Sequence, residues 1–398
     1  MTDIHLVEGG DSFVGALDDA VGDALAASGA VTATRVGGGE WEVAPSTKIG
    51  VVSVGGMTVW VRPKVDISRV LFLLGYAKNP GWRADQVAMA EVDDLVPVLA
   101  QAFVDQAERA IEPGLLQGYM EVDDSLTVLR GRLREQDQLR QRFGIAIPLL
   151  VRYDDHTVDI AENRLLRVPD VPTVVRARLR RLRGILADVT VPVRGGALPQ
   201  WSPSRLNERY HVALWLAELL LRGNAVDQAP GFVRVGGFLV DMAKVYEDFL
   251  TAALTESFKP HGGWTRPQDR HHLDVDEAIA MRPDLVWYLN GAPAAVIDAK
   301  YKAEKPAGFP DADLYQMLAY CTALRLSDGH LVYARGNAEE VTHTVRHAGI
   351  TIHAHTLDLG VPPIDLLKQV NELAARIVGA SMRQPSDSSF EPELHLQV

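Results

Sequence analysis

The chain has 398 residues, 47% of them hydrophobic, and carries 40 Lys and Arg residues against 52 Asp and Glu residues. A chain of this length and composition buries one large core or two to three ordinary ones, so it is not a disordered or fibrous protein. Its formal net charge of -12 argues, taken alone, against a protein that holds nucleic acid tightly.

The sequence predicts a cytoplasmic protein with no membrane segment. Its single cysteine, Cys321, excludes internal disulfide bonds and Cys-rich zinc modules, and it lies in an apolar stretch of a predicted helix, as a core thiol does. The first residues lack the basic start and the apolar stretch of a signal peptide. The longest apolar runs are shorter than the roughly 20 residues that a bilayer span requires.

Charge is divided unevenly along the chain. Residues 1–129 contain 8 basic and 19 acidic residues, whereas residues 130–183 contain 13 basic residues, all of them arginine, and 7 acidic residues. Arginine offers a planar fork of donors that suits phosphate, so this segment can form a DNA-facing surface. A solvated helix face explains it equally well, because 31 of the 40 basic residues in the whole chain are arginines.

The first half of the chain combines strands with helices. Two β-rich runs between Lys48 and Val65 flank Gly55-Gly56, which predicts a hairpin. Asp159 to Glu162 has the spacing of a capping box that opens a short helix ending at Leu166, and we interpret its acidic residues as structural. The periodicity also predicts, in chain order, helices over 68–76 and 86–111, strands over 122–129 and 145–153, and helices over 173–187 and 204–222.

These patterns divide the chain into four parts. We predict a β-rich amino-terminal domain with helices over 1–129, an Arg-rich and largely helical middle region over 130–225, an α/β domain over 226–380, and a disordered tail over 381–398. A stretch punctuated by Gly and Pro at 223–237 marks the start of the last domain.

The residues able to do chemistry are concentrated between Asp241 and Tyr320. Asp284 lies on one predicted strand and Asp298 with Lys300 on the next, where period-two alternation puts Asp298 and Lys300 on one face. Hard oxygen ligands on two strands can hold Mg²⁺, with Mn²⁺ as an alternative, and the ion lowers the pKa of an attacking water. We predict a phosphodiesterase site in which Asp284 and Asp298 bind the ion and Lys300 positions the water or stabilises developing charge. The predicted elements around it are helix 241–258, strands 271–276, 282–288 and 295–300, helix 311–324 and strand 330–334.

The connection between the two strands decides whether the carboxylates can share an ion. A two-residue Asn290-Gly291 turn would pair Asp284 with Ile297 and send Asp298 to the other face. The shared site therefore requires a three-residue connection, Asn290-Gly291-Ala292, or a bulge between the strands. A plain two-residue turn without a bulge would exclude it.

Two helices supply further candidates. Glu247 lies on an apolar helical stripe, as a flanking residue or as a third acid directed at the metal, and the neighbouring motif favours the second interpretation. Gln316 and Tyr320 share a helical face with Asp313. They can hydrogen-bond a DNA phosphate or a catalytic water, or form the polar face of a packed helix. His271-His272 and His353 to His355 lack further metal ligands, so we interpret them as exposed strand histidines.

The motifs resemble those of a known family. Pro283-Asp284 with Asp298-Ala299-Lys300 resembles the PD-(D/E)xK nuclease signature, and Gln316 to Tyr320 resembles the Q-x-x-x-Y motif of its RecB-like branch. Beyond these motifs, the chain is similar over about 48–371 to McrC, the nuclease subunit of McrBC-type modified-cytosine restriction systems. The stretches that carry this similarity are 48–65 with 71–76, 131–133 with 152–166, and 245–249.

The resemblance implies an α+β or α/β multidomain protein with a β-rich amino-terminal domain, a helical middle region and a carboxy-terminal nuclease. The nuclease would have a restriction-endonuclease-like mixed sheet flanked by helices. The implied catalytic residues are Asp284, Asp298, Lys300, Glu247, Gln316 and Tyr320, and the implied metal ligands are Asp284, Asp298, Ala299 and Glu247.

In that family, the amino-terminal domain enters the pore of a ring of McrB, an AAA+ GTPase, and stimulates nucleotide hydrolysis. This chain has no Gly-Lys dipeptide and therefore no P-loop, so nucleotide hydrolysis, by GTP or ATP, would belong to such a partner. Recognition of modified cytosine in double-stranded DNA would belong to the partner too. Lys48, Arg62 and Lys64 are candidates for contacting the ring, although exposed strand residues are an equal alternative.

Two other functions stay open. An autonomous RecB-like DNA repair nuclease would need no ring, but the large acidic amino-terminal half is surplus to a minimal nuclease. A ring-activating binding subunit with a degenerate nuclease site would not need the intact Asp284, Asp298 and Lys300. A double-strand break would require two nuclease centres, hence self-association through the nuclease domain.

Overall fold

The structure, a computed structural model, describes residues 3–78, 80, 95–142, 147–168, 175–193, 196–223, 235–301, 310–334 and 340–382. Most of the predicted boundary at 223–237 and almost all of the predicted disordered tail lie outside the described residues, as do residues 86–94 of a predicted helix.

The amino-terminal region contains the predicted hairpin and a second, smaller sheet. The two strands of the hairpin join at Gly55 and Gly56, whose φ angles of 58° and 87° are the left-handed values that a tight hairpin turn requires. The elements here are β1 (Asp3–Val7), β2 (Phe13–Ala16), α1 (Asp19–Ser28), β3 (Val31–Gly37), β4 (Glu40–Pro45), β5 (Lys48–Val54), β6 (Met57–Arg62), α2 (Ile67–Lys78) and α3 (Leu95–Ile111). Strands β2, β4 and β3 form the small antiparallel sheet in that order.

Helices are the main elements of the predicted middle region, which also contains two strands of a three-stranded sheet. The elements are β7 (Gly118–Leu126), β8 (Arg132–Leu133), α4 (Glu135–Arg142), β9 (Leu149–Thr157), α5 (Ala161–Leu166), α6 (Arg176–Ile185), a 3-10 turn (Glu208–Tyr210) and α7 (His211–Gly223). Strand β9 pairs with both β7 and β8, so this sheet crosses the predicted boundary after residue 129.

The predicted capping box is wrong. Helix α5 is preceded by Ile160, which has no polar side chain to cap it. The carboxylate of Asp159 instead accepts hydrogen bonds from Arg164 at 2.8 Å and from the hydroxyl of Thr190 at 2.7 Å. The pKa of Asp159 falls well below its usual value, first because of the bond from Arg164. Asp159 therefore connects α5 to the loop that contains Thr190.

The carboxy-terminal region confirms the predicted mixed sheet. Its elements are β10 (Val235–Asp241), α8 (Met242–Phe258), a 3-10 turn (Lys259–His261), β11 (Trp264–Pro267), β12 (His271–His272), β13 (Ala280–Met281), β14 (Leu285–Leu289), β15 (Ala292–Lys300), α9 (Asp311–Leu324), β16 (Asp328–Ala334), β17 (Val341–Thr344), β18 (Thr351–Leu357) and α10 (Pro363–Ser381). Six strands pair in the order β11-β14-β15-β16-β18-β17, in which β15, β16 and β18 are parallel and the outer pairs are antiparallel.

Strand β10 joins the amino-terminal region to the carboxy-terminal region. It pairs antiparallel with β5, completing a four-stranded sheet in the order β1-β6-β5-β10. Helix α8 begins immediately after β10, and the side chain of Asp241 caps it by accepting a hydrogen bond from the N–H of Ala243 at 3.0 Å. The amino-terminal sheet thus fixes the start of the helix that carries Glu247.

Helices cover both faces of the six-stranded sheet, and β15 divides its side chains between two cores. Ile297 packs in the larger core with α8 and α10, whereas Val296 packs in the smaller core with α9. The same alternation directs Asp298 and Lys300 towards α9, and Tyr301 lies in the larger core. None of the helices within the described ranges has the length and apolar character that crossing a membrane requires.

The smaller core confirms the interpretation of Cys321 as a core thiol. Cys321 is fully buried there, and burial raises the pKa of its thiol to about 12. The interpretation of the histidines as exposed is wrong. His271 and His272 are half-buried, and on the inner strand β18 His353 is half-buried and His355 is buried. His355 stacks on His330 of the neighbouring strand, and their rings share a hydrogen bond of 3.1 Å between Nε2 and Nδ1.

Candidate active site

A bulge in the β14–β15 hairpin brings Asp284 opposite Asp298. The turn has two residues, Asn290 and Gly291, with left-handed φ angles of 53° and 84°, so the predicted three-residue connection is wrong. The predicted alternative, a bulge, is present. Tyr288 pairs with Pro293 but Trp287 pairs with Ala295, which leaves one extra residue on β15. From there Leu285 pairs with Ile297, and continuing this register aligns Asp284 with Asp298.

Lys300 forms a buried ion pair with Asp298. Its Nζ atom lies 2.5 Å from Oδ2 of Asp298 and 3.6 Å from Oδ1 of Asp313, and the Lys300 side chain is only 12% exposed. Burial lowers the pKa of Lys300, but the nearby carboxylates, first that of Asp298, outweigh burial and raise it above its usual value. The side chain therefore stays an ammonium ion at neutral pH.

Asp284 lies where several negative charges converge. Burial, first, and then the charges of Asp298 and Glu247 raise the pKa of Asp284 well above its usual value. The N–H of Ala299 opposes them by donating a hydrogen bond of 2.8 Å to Oδ2 of Asp284. Carboxylates that crowd in this way bind a cation readily, because the cation removes their mutual repulsion.

Gln268, which sequence reasoning missed, connects Glu247 to Asp284. Its Nε2 atom donates to Oε1 of Glu247 at 2.6 Å and to Oδ1 of Asp284 at 2.9 Å. Its backbone N–H also donates to the carbonyl of Asp284 at 3.0 Å. Gln268 reaches this place because β11 pairs with β14, and nothing in the sequence indicates that pairing. Glu247 makes a second contact, an ion pair of 2.8 Å with Lys244.

Side chains of helix α9 form consecutive hydrogen bonds that end at Lys300. The ammonium group donates to Oε1 of Gln316 at 2.7 Å, and Nε2 of Gln316 donates to the hydroxyl of Tyr320 at 2.9 Å. One turn earlier, Asp313 is buried and accepts a hydrogen bond from the hydroxyl of Tyr333 at 3.2 Å. Asp313 is a second site residue that the sequence placed on the right helical face without assigning it a role.

The donor set fits a hard divalent cation. Asp284, Asp298 and Glu247 supply carboxylate oxygens, and Mg²⁺ is typically held by one or two carboxylates with waters completing its octahedron. Among the described residues, no three His, Cys, Asp or Glu side chains are arranged to ligate one ion as they stand. Asp298 is held by Lys300, and Glu247 by Gln268 and Lys244, so ligation requires these side chains to rotate.

The candidate ring-binding cations lie at the base of the β5–β6 hairpin, away from its Gly55-Gly56 turn. Lys48 begins β5, where it is the register partner of Asp241. Arg62 ends β6 and is exposed. The Nζ atom of Lys64 lies 4.5 Å from the ring centre of Tyr301, the residue after Lys300. The base of the hairpin therefore faces the carboxy-terminal region, and the turn lies at the other end of the strands.

Comparisons with known proteins agree with this architecture. The family model described as McrBC 5-methylcytosine restriction system component matches residues 43–334. A chain from a refined half-complex of a tetradecameric assembly of Thermococcus gammatolerans McrB AAA+ hexamers with bound McrC has a TM-score of 0.57 and 19% identity, and the match covers 94% of this chain and 100% of that chain. This similarity is one of fold.

A chain from a cryo-EM structure of the Thermococcus gammatolerans McrBC complex has a TM-score of 0.44 and 21% identity, over 65% of this chain and 88% of that chain. No curated protein sequence matches the chain significantly.

Proposed function

The chain belongs to the McrBC 5-methylcytosine restriction system component family, and from this premise we propose that it is a Mg²⁺-dependent DNA endonuclease subunit. The observation that carries the proposal is the bulge that aligns Asp284 with Asp298 while Lys300 remains on Asp298. A structural ion pair would not need two further carboxylates, Asp313 and Asp284, around the same ammonium group. A hydrolytic site for a charged phosphodiester does need such a combination of anions and one cation.

The reaction is hydrolysis of a phosphodiester. The oxygen of a water forms a bond to phosphorus, one P–O ester bond breaks, and the departing oxygen takes up a proton. Bound Mg²⁺ would lower the pKa of that water and neutralise charge on the phosphate. Asp284 and Asp298, with Glu247 and the backbone of Ala299, would hold the ion.

The residues around Lys300 orient its ammonium group towards the attacking water and the phosphate. Asp298 and Gln316 fix the direction of its ammonium group, which donates hydrogen bonds to the attacking water or to a phosphate oxygen. Tyr320 fixes the amide of Gln316 from the other side. Lys300, Gln316 and Tyr320 are therefore connected before DNA binds, whereas Asp298 and Glu247 must still rotate to ligate the ion.

We assign nucleotide hydrolysis to a McrB-like AAA+ ring that uses GTP or ATP. This chain lacks a Gly-Lys dipeptide and so has no P-loop of its own. Family membership supports the assignment, and the fold neighbour of 19% identity is described with McrB AAA+ hexamers. The β-rich amino-terminal region would contact the ring through the Gly55-Gly56 end of its hairpin. Modified cytosine in double-stranded DNA would be recognised by the partner, and the complex would act in the cytoplasm.

Reconstitution with the partner ring tests this function. Cleavage of duplex DNA that contains modified cytosine should require the chain, the ring, hydrolysable nucleotide and Mg²⁺ together, and should stop on addition of EDTA. Equal cleavage of plain duplex by the chain alone would favour an autonomous repair nuclease. Stimulation of nucleotide hydrolysis without any cleavage would favour a ring-activating binding subunit. A double-strand break, rather than a nick, would indicate that two nuclease domains associate on the DNA.

A further inference from the structure

Tyr301 connects the active-site strand to the amino-terminal sheet. It directly follows Lys300, but its side chain points to the opposite face of the sheet, where it is 4% exposed. Its hydroxyl donates a hydrogen bond of 3.0 Å to Oε2 of Glu8, a residue 293 positions earlier in the chain. Lys300 and Tyr301 share one peptide unit, so any constraint on the Tyr301 side chain also limits how the backbone of Lys300 can turn.

Glu8 is itself fixed to the hairpin that we propose contacts the ring. Its N–H donates to the carbonyl of Arg62, the last residue of β6, at 2.8 Å. Its carboxylate accepts from the N–H of Lys64 at 3.4 Å, and the ammonium group of Lys64 lies over the Tyr301 ring. Continuous hydrogen bonds and ring contacts therefore run from the end of β6 through Glu8 to Tyr301.

The buried hydrogen bond between Glu8 and Tyr301 differs from an ordinary core contact, which joins apolar side chains. Glu8 is 5% exposed, and burying a carboxylate is unfavourable unless hydrogen bonds compensate it, so an apolar pair would pack the same space with less penalty. Burial raises the pKa of Glu8, while the bond from Tyr301 and the charge of Lys64 lower it. A buried polar pair that an apolar pair could replace is suited to fixing one geometry rather than to adding stability.

We propose that Tyr301 is a positioning residue whose hydrogen bond to Glu8 holds the end of β15 in register, so that Lys300 stays on Asp298. Through this hydrogen bond, the ring-facing sheet sets the geometry of the nuclease site. The inference rests on the proposed function. It gives the amino-terminal sheet a second role beside ring contact, because displacement of β6 would shift Glu8 and with it the Lys300 backbone.

Four variants in the reconstituted complex test the coupling. Tyr301→Phe and Glu8→Ala should each lower kcat for DNA cleavage by roughly 10- to 100-fold, because small misplacements of a catalytic group are costly. KM for DNA and stimulation of the ring's nucleotide hydrolysis should not change. Glu8→Gln should stay near the wild-type rate, since its amide oxygen still accepts from the Tyr301 hydroxyl. The double variant Glu8→Ala/Tyr301→Phe should be no worse than either single variant.

Tyr153→Phe is the matched control, since it removes a tyrosine bond of 3.1 Å to a carboxylate, that of Asp124, in the separate β7–β9 sheet. Wild-type kcat in Tyr301→Phe would overturn the inference. Equal losses of kcat in Tyr301→Phe and Tyr153→Phe would overturn it too, as would additive losses in the double variant. If the wild-type complex shows no cleavage that Asp298→Ala abolishes, the proposed function itself fails and the inference falls with it.

Discussion

Lys300 and Asp298 lie two residues apart on one strand and form an ion pair of 2.5 Å that is almost wholly buried. Removing Lys300 leaves Asp298 buried without its counter-charge, whereas removing Asp298 leaves Lys300 with the more distant Asp313 at 3.6 Å. The pair therefore matters for both stability and the proposed chemistry, and the two effects can be separated by experiment.

Replacing Lys300 by Met keeps an unbranched side chain that is one atom shorter and removes its charge. We expect Lys300→Met to abolish cleavage and to lower the free energy of unfolding by about 3 kcal/mol, because Asp298 remains buried without its partner. The control is Lys259→Met, which breaks an exposed ion pair of 2.7 Å with Glu256 and should cost about 1 kcal/mol or less. Denaturant titration and a cleavage assay measure the two effects. Equal losses of unfolding free energy in the two variants would contradict the claim that the Lys300–Asp298 pair is buried.

Gln268 holds two of the proposed metal ligands, and its loss should show in the dependence on Mg²⁺. We expect Gln268→Ala to raise the Mg²⁺ concentration at half-maximal cleavage by about 10- to 100-fold, because residues that orient ligands contribute this much. Gln101→Ala removes a comparable bond of 2.9 Å from a glutamine to Asp105, far along the chain from these ligands, and should leave the midpoint unchanged. A Mg²⁺ midpoint in Gln268→Ala equal to that of the wild type would show that Glu247 and Asp284 need no such bridge.

The sequence predicts the strands that carry Asp284 and Asp298, both flanking helices, and the need for either a three-residue turn or a bulge. These features follow from local periodicity and from the two-residue repeat of side chains along a hairpin. The sequence could not choose between a longer turn and a bulge, since Asn290-Gly291 permits either. It also missed Gln268, because the pairing of β11 with β14 joins residues 16 apart through a segment with little strand pattern.

Long-range contacts explain the other errors. The spacing around Asp159 predicts a local cap, but its partner Thr190 is 31 residues away. The sequence predicts exposed histidines because alternation shows which residues share a face of the sheet, without showing that α10 covers that face. The contact between Glu8 and Tyr301 joins residues 293 positions apart, so no local pattern predicts it.

The buried histidines make stability depend on pH. Burial, then the charges of Arg376 and His353, lowers the pKa of His355 from its usual 6.5 to about 3. Below pH 6.5 the unfolded chain takes up a proton that the folded chain does not, so stability is full above pH 6.5 and falls as the pH drops towards 3. For each such histidine, the free energy of unfolding falls by roughly 1.4 kcal/mol per unit of decreasing pH in this window.

We therefore expect His355→Gln to reduce the difference in unfolding free energy between pH 7.5 and pH 5.5. His261→Gln, at an exposed histidine, should leave that difference as in the wild type. Denaturant titrations at both pH values provide the measurement. If the unfolding free energy of His355→Gln changes between the two pH values as much as that of the wild type, the folded protein accepts the proton at this position.

Cleavage by an Asp298→Asn complex tests the central claim most directly, because the substitution keeps the shape of the side chain and removes one proposed ligand. The assay compares wild type, Asp298→Asn and the exposed control Asp276→Asn, each with the AAA+ partner, nucleotide and saturating Mg²⁺ on DNA containing modified cytosine. We predict loss of cleavage by about 1,000-fold or more in Asp298→Asn, with stimulation of nucleotide hydrolysis intact and Asp276→Asn unaffected. Wild-type cleavage by Asp298→Asn would contradict the assignment of the active site.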